Sequence, residues 1–136
     1  MLACRLIVVS IFPNQPNQPR RLKVTVLRTP LNAGGFRFSI ERDGKEVARA
    51  RLYILRNDIH PEPFGYVEDV HVDEGYRGQG ISSELLGDLE SAAASNGLYK
   101  IILHTESVNF IAQSLYTKRG WYVVGPTLRF DFNMVT

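Results

Sequence analysis

The chain is expected to fold as a single-domain α+β protein built on a mixed β-sheet. Three observations point there. Residues 36–56 alternate apolar and polar side chains on either side of Asp43-Gly44, the pattern of a half-buried antiparallel hairpin with a two-residue turn. Segments 80–96 and 109–118 space their apolar residues at helical intervals. Between them Tyr99-Lys-Ile-Ile-Leu-His104 is apolar through its centre, as suits an interior strand parallel to its neighbour. With 136 residues, 44% hydrophobic and 22% charged, the composition is that of one globular domain.

The elements follow in order. Residues 1–20 are expected to be disordered or peripheral, because Pro-Asn-Gln-Pro-Asn-Gln-Pro at 13–19 reads as a linker. The domain then runs from 21 to 136. The apolar run Leu6–Phe12 is too short to span a bilayer. Arg5 precedes that run as in a secretory signal, but Pro13 follows at once and no small-residue cleavage site is evident. A cytoplasmic protein without a membrane partner is therefore expected. Lys23–Leu27 is a short strand candidate and Leu31–Gly35 a loop. Phe36–Ile40 and Glu46–Arg56 form the hairpin. Asn57–Gly65 carries Pro61 and Pro63 and is a loop. Tyr66–Asp73 is the next strand. In the first helix Ile81, Leu85, Leu86, Leu89, Ala92 and Ala93 share one face, and Gly97 ends it. Asn109–Lys118 is the second helix, closed by Gly120. Trp121–Val124 and Leu128–Met134 are expected as a final strand pair. The order is β-β-β-β-α-β-α-β-β.

Charge and cysteine content exclude several functions. A net charge of +2 gives no footprint for a nucleic-acid partner. Cys4 is the sole cysteine, so no intramolecular disulfide forms. His60, His71 and His104 are scattered without ligand spacing, so no metal is expected.

Tyr76-Arg-Gly-Gln-Gly-Ile-Ser-Ser83 joins a strand to a helix start. The first N–H groups of a helix lack intrahelical acceptors, and the helix dipole adds positive charge there. Gly78 and Gly80 let the backbone approach an anion closely. Strand, glycine loop and helix start together form a phosphate-binding arrangement. Downstream, Asn109 and Tyr116 are seven residues apart, so on a helix they share a face within about 20°. That face offers an amide and a phenol to one elongated ligand.

These two blocks resemble the GNAT superfamily of N-acetyltransferases. Arg77-Gly-Gln-Gly80-Ile-Ser82 fits the family's Arg/Gln-x-x-Gly-x-Gly/Ala motif except at Ser82. Asn109-Phe-Ile-Ala112-Gln-Ser-Leu115-Tyr116-Thr-Lys-Arg-Gly120-Trp121 is similar to its Asn-x-x-Ala-x-x-Leu-Tyr-x-x-x-Gly-aromatic segment. The resemblance covers about residues 36–132. It implies an acyl-CoA N-acyltransferase fold that here lacks most of the usual N-terminal helical pair, since only Thr29–Gly35 separates the first strand candidates.

The same resemblance implies a site and a chemistry. Acetyl-CoA would be the cosubstrate, with its pyrophosphate on the N–H groups of Arg77, Gly78, Gln79, Gly80, Ile81 and Ser82. Its pantetheine arm would pair with the backbone of Val70, His71 and Val72, between strands that splay apart. Asn109 and Tyr116 would also contact it. A primary amine of a small molecule or a protein would attack the thioester directly. Glu68 is the leading base, a backbone N–H near Val70 would polarise the carbonyl, and Tyr116 would protonate the leaving thiolate. The alternative function is a non-catalytic acyl-CoA-binding module with the same pocket. The exposed final strand pair and the short front end suit a homodimer.

Each residue also has a plainer reading. Glu68 fits a surface ion pair as well as a base, and the neighbouring Asp69 faces the other way in a regular strand. His71 and His104 fit structural roles. Asn109 also suits an N-cap. Phe110 and Trp121 read as packing residues, and Arg49, Arg51 and Arg56 as a solvated strand face.

Overall fold

The computed structural model describes residues 25–132. The chain divides into two units at Pro30/Leu31. Of the first unit only residues 25–30 are described, and they carry no regular structure. All the elements below belong to the second unit.

Four strands and two helices form an α+β arrangement: β1 (Ala33–Arg42), β2 (Lys45–Leu55), β3 (Phe64–Val72), α1 (Ile81–Ser95), β4 (Ile101–Leu103) and α2 (Phe110–Lys118), with a short 3₁₀ turn at Glu74–Tyr76. The sheet order is β1-β2-β3-β4. The first two pairings are antiparallel and β3–β4 is parallel, so the sheet is mixed as expected. Asp43 (φ 54°) and Gly44 (φ 76°) both lie in the left-handed region, which is what a type I′ hairpin turn demands.

The core lies where α1 crosses one sheet face. Ile81, Leu85, Leu89 and Ala93 of α1 meet Ala48, Ala50 and Leu52 of β2 and Val67 and Val72 of β3, all buried. The small side chains of Ala48 and Ala50 give the helix room to approach. Gly65 does the same at the start of β3. A Cβ there would come within 2.7 Å of both Leu52 and Leu98 and 2.8 Å of Ile101. Both helices end in Schellman motifs. In α1, Leu98 N–H donates to the Ala93 carbonyl across Gly97. In α2, Trp121 N–H donates to Tyr116 across Gly120.

Four expectations need correction. Residues 25–27 of the strand expected at 23–27 join no ladder, and Val26 and Leu27 are exposed; residues 23 and 24 lie outside the described residues. The final strand pair does not form within 121–132. A two-stranded hairpin with no third strand or helix over it is marginal in water, and here Val123 is 90% and Leu128 94% exposed. Residues 133 and 134 of that pair lie outside the described residues. The strand expected at 99–104 is only three residues long. It is parallel to β3 as read, but it lies at the sheet edge and is half-buried, because no further strand pairs with it among the described residues. Finally, Phe110 is exposed rather than packed, since α2 buries none of its residues.

Candidate active site

The site starts from a bulge in β3. The β2–β3 ladder pairs Arg51 with Glu68 and Arg49 with His71. Two β3 residues, Asp69 and Val70, therefore oppose the single residue Ala50. Asp69 takes φ 54°, a left-handed conformation costing a non-glycine residue roughly 1–2 kcal/mol. The bulge resets the strand's alternation. Val67, Val70 and Val72 all belong to the α1 side of the sheet, which puts Glu68 and His71 on the opposite face. Pairing between β3 and β4 ends at Val67–Leu103, so the β4-side edge of β3 is free of β4 from Glu68 onward.

Beyond β3 the chain turns through the 3₁₀ segment into the glycine loop. Several contacts fix it. Tyr76 N–H donates to Asp73 O at 2.9 Å and Arg77 N–H to Glu74 O at 3.3 Å. The Tyr76 hydroxyl donates to Asp43 in the hairpin turn at 2.8 Å. Arg77 Nε donates to Val72 O at 3.0 Å. Gly78 (φ 77°) and Gly80 (φ 78°) are both left-handed, and a Cβ on either would project into open space. Backbone conformation, not crowding, therefore demands glycine at these positions. Among the described residues, the N–H groups of Gly78, Gln79, Gly80, Ile81, Ser82 and Ser83 donate to no protein acceptor, and the first helix N–H with a partner is that of Glu84, to Gly80 O. These six donors stand at the positive end of a 15-residue helix, and their chemistry fits an anion such as a pyrophosphate. The Arg77 N–H, expected to join them, already has an acceptor in Glu74. The run of unengaged N–H groups therefore begins at Gly78.

The remaining candidates have distinct surroundings. Tyr116, on α2, is partly buried against Trp121, with ring centroids 5.6 Å apart. Burial pushes its phenol above the ordinary tyrosine value, so the hydroxyl stays protonated at neutral pH. Asn109 is the N-cap of α2, and its side-chain oxygen accepts from Ala112 N–H at 3.1 Å. Its backbone carbonyl accepts from Gln113 N–H at 3.1 Å, so it stands half in the first turn of α2. His71 Nε2 and Asp73 Oδ1 are 3.1 Å apart. His104 contacts Thr127 at 3.1 Å. Glu68 is exposed, and among the described residues its side chain makes no hydrogen bond or ion pair. Asp69, in contrast, is engaged by Arg49 and Arg51. The Arg49 guanidinium, and after it Arg51, holds its carboxyl below the usual range. No hydrogen bond joins Tyr116 to β3 among the described residues. The structure thus places Glu68, Val70, His71, Val72 and the glycine loop in one continuous stretch, with Tyr116 on a separate element. No cluster of metal ligands occurs among the described residues, and none of their helices is long and apolar enough to cross a membrane.

Two groupings were not legible in the sequence. Arg49 and Arg51 are not a merely solvated face; they converge on Asp69. The signal was available in the like parity of the two arginines, but it needed the strand register to be read. Glu90 accepts from Arg119 at 2.9 and 2.7 Å and from Trp121 Nε1 at 3.0 Å, tying α1 to the end of α2. No short-range spacing reveals that contact.

The acetyltransferase (GNAT) family model matches residues 7–121, most of the chain. The chain belongs to that family. As a GNAT protein it shares 34% identity over 70 residues with the uncharacterized N-acetyltransferase YycN of Bacillus subtilis, covering 52% of this chain and 45% of YycN. It shares 36% over 67 residues with a glucosamine 6-phosphate N-acetyltransferase of Trypanosoma brucei brucei, covering 49% and 44%. The chain thus matches slightly under half the length of these relatives. Among solved structures, a Trypanosoma brucei acetyltransferase superposes with TM-score 0.60 at 32% identity, covering 65% of this chain and 61% of that one. The glucosamine-6-phosphate N-acetyltransferase of Arabidopsis thaliana gives 0.64 at 26%, covering 70% and 65%. Both solved relatives support the GNAT fold for the sheet and helices described above.

Proposed function

We propose that this GNAT protein is an acetyl-CoA-dependent N-acetyltransferase acting on a primary amine. The observation that carries the reading is the run of six unengaged N–H groups at Gly78–Ser83, directly beyond the open edge of β3. That combination offers a pyrophosphate its donors and an extended arm a strand edge to pair with. Ser82 keeps the cradle small and adds a hydroxyl.

In this reading Glu68 takes the ammonium proton of the acceptor. It suits the role better than Asp69, whose carboxylate is committed to two arginines. The amine nitrogen attacks the thioester carbonyl while the Val70 N–H polarises its oxygen. The carbon–sulfur bond breaks, the thiolate takes its proton from the Tyr116 hydroxyl, the nitrogen's second proton returns the tyrosinate to the phenol, and Glu68 gives its proton to solvent, leaving an amide and free coenzyme A. The acceptor is a small-molecule amine or a protein amino group. Relatives named for glucosamine 6-phosphate place amino-sugar phosphates in the panel to be tried, beside polyamines, amino acids, aminoglycosides and peptide N-termini.

The test is free-thiol release from acetyl-CoA across that panel, beside a thermal shift with coenzyme A. Amine-dependent thiol release is expected. Failure of coenzyme A to stabilise the protein at concentrations far above micromolar removes the acyl-CoA reading. Stabilisation without thiol release for any amine would leave an acyl-CoA-binding module in place of an enzyme.

A further inference from the structure

Asp69 is the one β3 residue with positive φ. Its carboxylate accepts from Arg49 Nε at 2.7 Å, from Arg49 Nη2 at 3.2 Å and from Arg51 Nη1. The two arginines flank Ala50, the β2 residue that lacks a β3 partner in the ladder. The side chains on either side of the register break thus grip the residue that makes it. We propose that Asp69, Arg49 and Arg51 form an ionic clamp that holds the β3 bulge, and that they are positioning residues for the acyl-transfer site. The inference rests on the reading above, in which Val70 supplies an N–H and Glu68 a carboxylate.

The physical case is one of competing registers. Without the bulge, β3 would run as a regular strand, in which residues three apart face opposite ways. Glu68 and His71 would then separate, and the edge residues 68–72 would re-aim. Aspartate adopts positive φ readily in turns, as Asp43 and Asp58 do here, but inside a strand ladder that conformation competes with regular pairing and gains from a hold. A carboxylate bridged by guanidinium forks is directional enough to give one. Glycine at the same position adopts positive φ unaided, so Asp69→Gly with both arginines present should keep the 68–71 shifts near their native values, whereas a general ion-pair loss would move them as the arginine substitutions do.

The experiment compares Arg49→Met/Arg51→Met in two backgrounds, native and Asp69→Gly. Backbone chemical shifts of residues 68–71 and steady-state thiol release are the two readouts. In the native background, removing both arginines should move the 68–71 shifts toward regular-strand values. It should also lower kcat by about 10- to 100-fold, with KM for acetyl-CoA changed less than about threefold. With Asp69→Gly present, the same double substitution should cost less than about threefold, because the backbone no longer needs the hold. An equal loss in both backgrounds, or unmoved shifts in the native one, overturns the clamp. Should the methionine pair unfold, Arg49→Lys/Arg51→Lys keeps the charge, loses the fork and is judged by the same criteria. A native protein that binds no coenzyme A and releases no thiol defeats the proposed function alone, since the shifts still decide the clamp.

Discussion

Tyr116 sits where burial keeps its phenol protonated, so it can donate a proton across the whole physiological range. Tyr116→Phe is expected to lower kcat by about 10²- to 10⁴-fold, measured as thiol release at saturating acetyl-CoA. A loss under about threefold removes it from the acid role. Gly80 poses a backbone demand. At φ 78° an alanine meets no neighbouring atom yet pays the left-handed cost. Gly80→Ala should therefore lose roughly 1–2 kcal/mol of stability in a urea titration and weaken coenzyme A binding. A variant as stable as the parent would mean that the loop relaxes to negative φ. At this scale the sequence was informative. Gly78 and Gly80 stood out by type and spacing and do take positive φ, and the N-cap reading of Asn109 matches its side-chain oxygen, which accepts from Ala112 N–H. The β3 residues were less so, because the facing of Glu68 and Asp69 depends on a bulge that no composition signals.

At the level of elements, α1 organises the molecule. It buries one face on the sheet and leaves the N–H groups of its first turn without protein acceptors. Leu89 is fully buried, so Leu89→Ala should cost about 2–5 kcal/mol, read from chemical denaturation. A cost below 1 kcal/mol would mean that the α1–sheet interface collapses around the gap. The link from α1 to the end of α2 is electrostatic. Arg119 first, and then Trp121, holds the Glu90 carboxyl below its usual range. A depressed folded-state value means stability that is present above the unfolded carboxyl value and lost as pH falls through the folded one. The native protein should therefore be more stable than Glu90→Gln near neutrality. The gap should close progressively below roughly pH 4.3, seen as converging melting temperatures. Curves that stay parallel down to pH 3 would show that the pair contributes nothing. The helices were legible because their periodicity is local. The ends of the sheet were not, because a strand exists only if something pairs with it. Residues 121–124 are apolar and 128–132 alternate apolar and polar like a strand, yet they join no ladder.

For the molecule as a whole, family and fold could be read from two ordered blocks separated by a strand, and the architecture agrees with them. What reading along the chain could not supply was the tying-together. Asp43 meets Tyr76, Arg49 and Arg51 meet Asp69, and Glu90 meets Arg119. Each pair is far apart in sequence and close only after folding. The last of these ties has a practical use. Trp121 is the only tryptophan of the chain; its indole N–H is held by Glu90 and its ring lies beside that of Tyr116. Intrinsic fluorescence excited at the indole band therefore reports from one place, the neighbourhood of the proposed proton donor. A shift in its emission on titrating coenzyme A would report ligand arrival at α2 without any label, and the Glu90→Gln protein would provide the spectrum of the released indole.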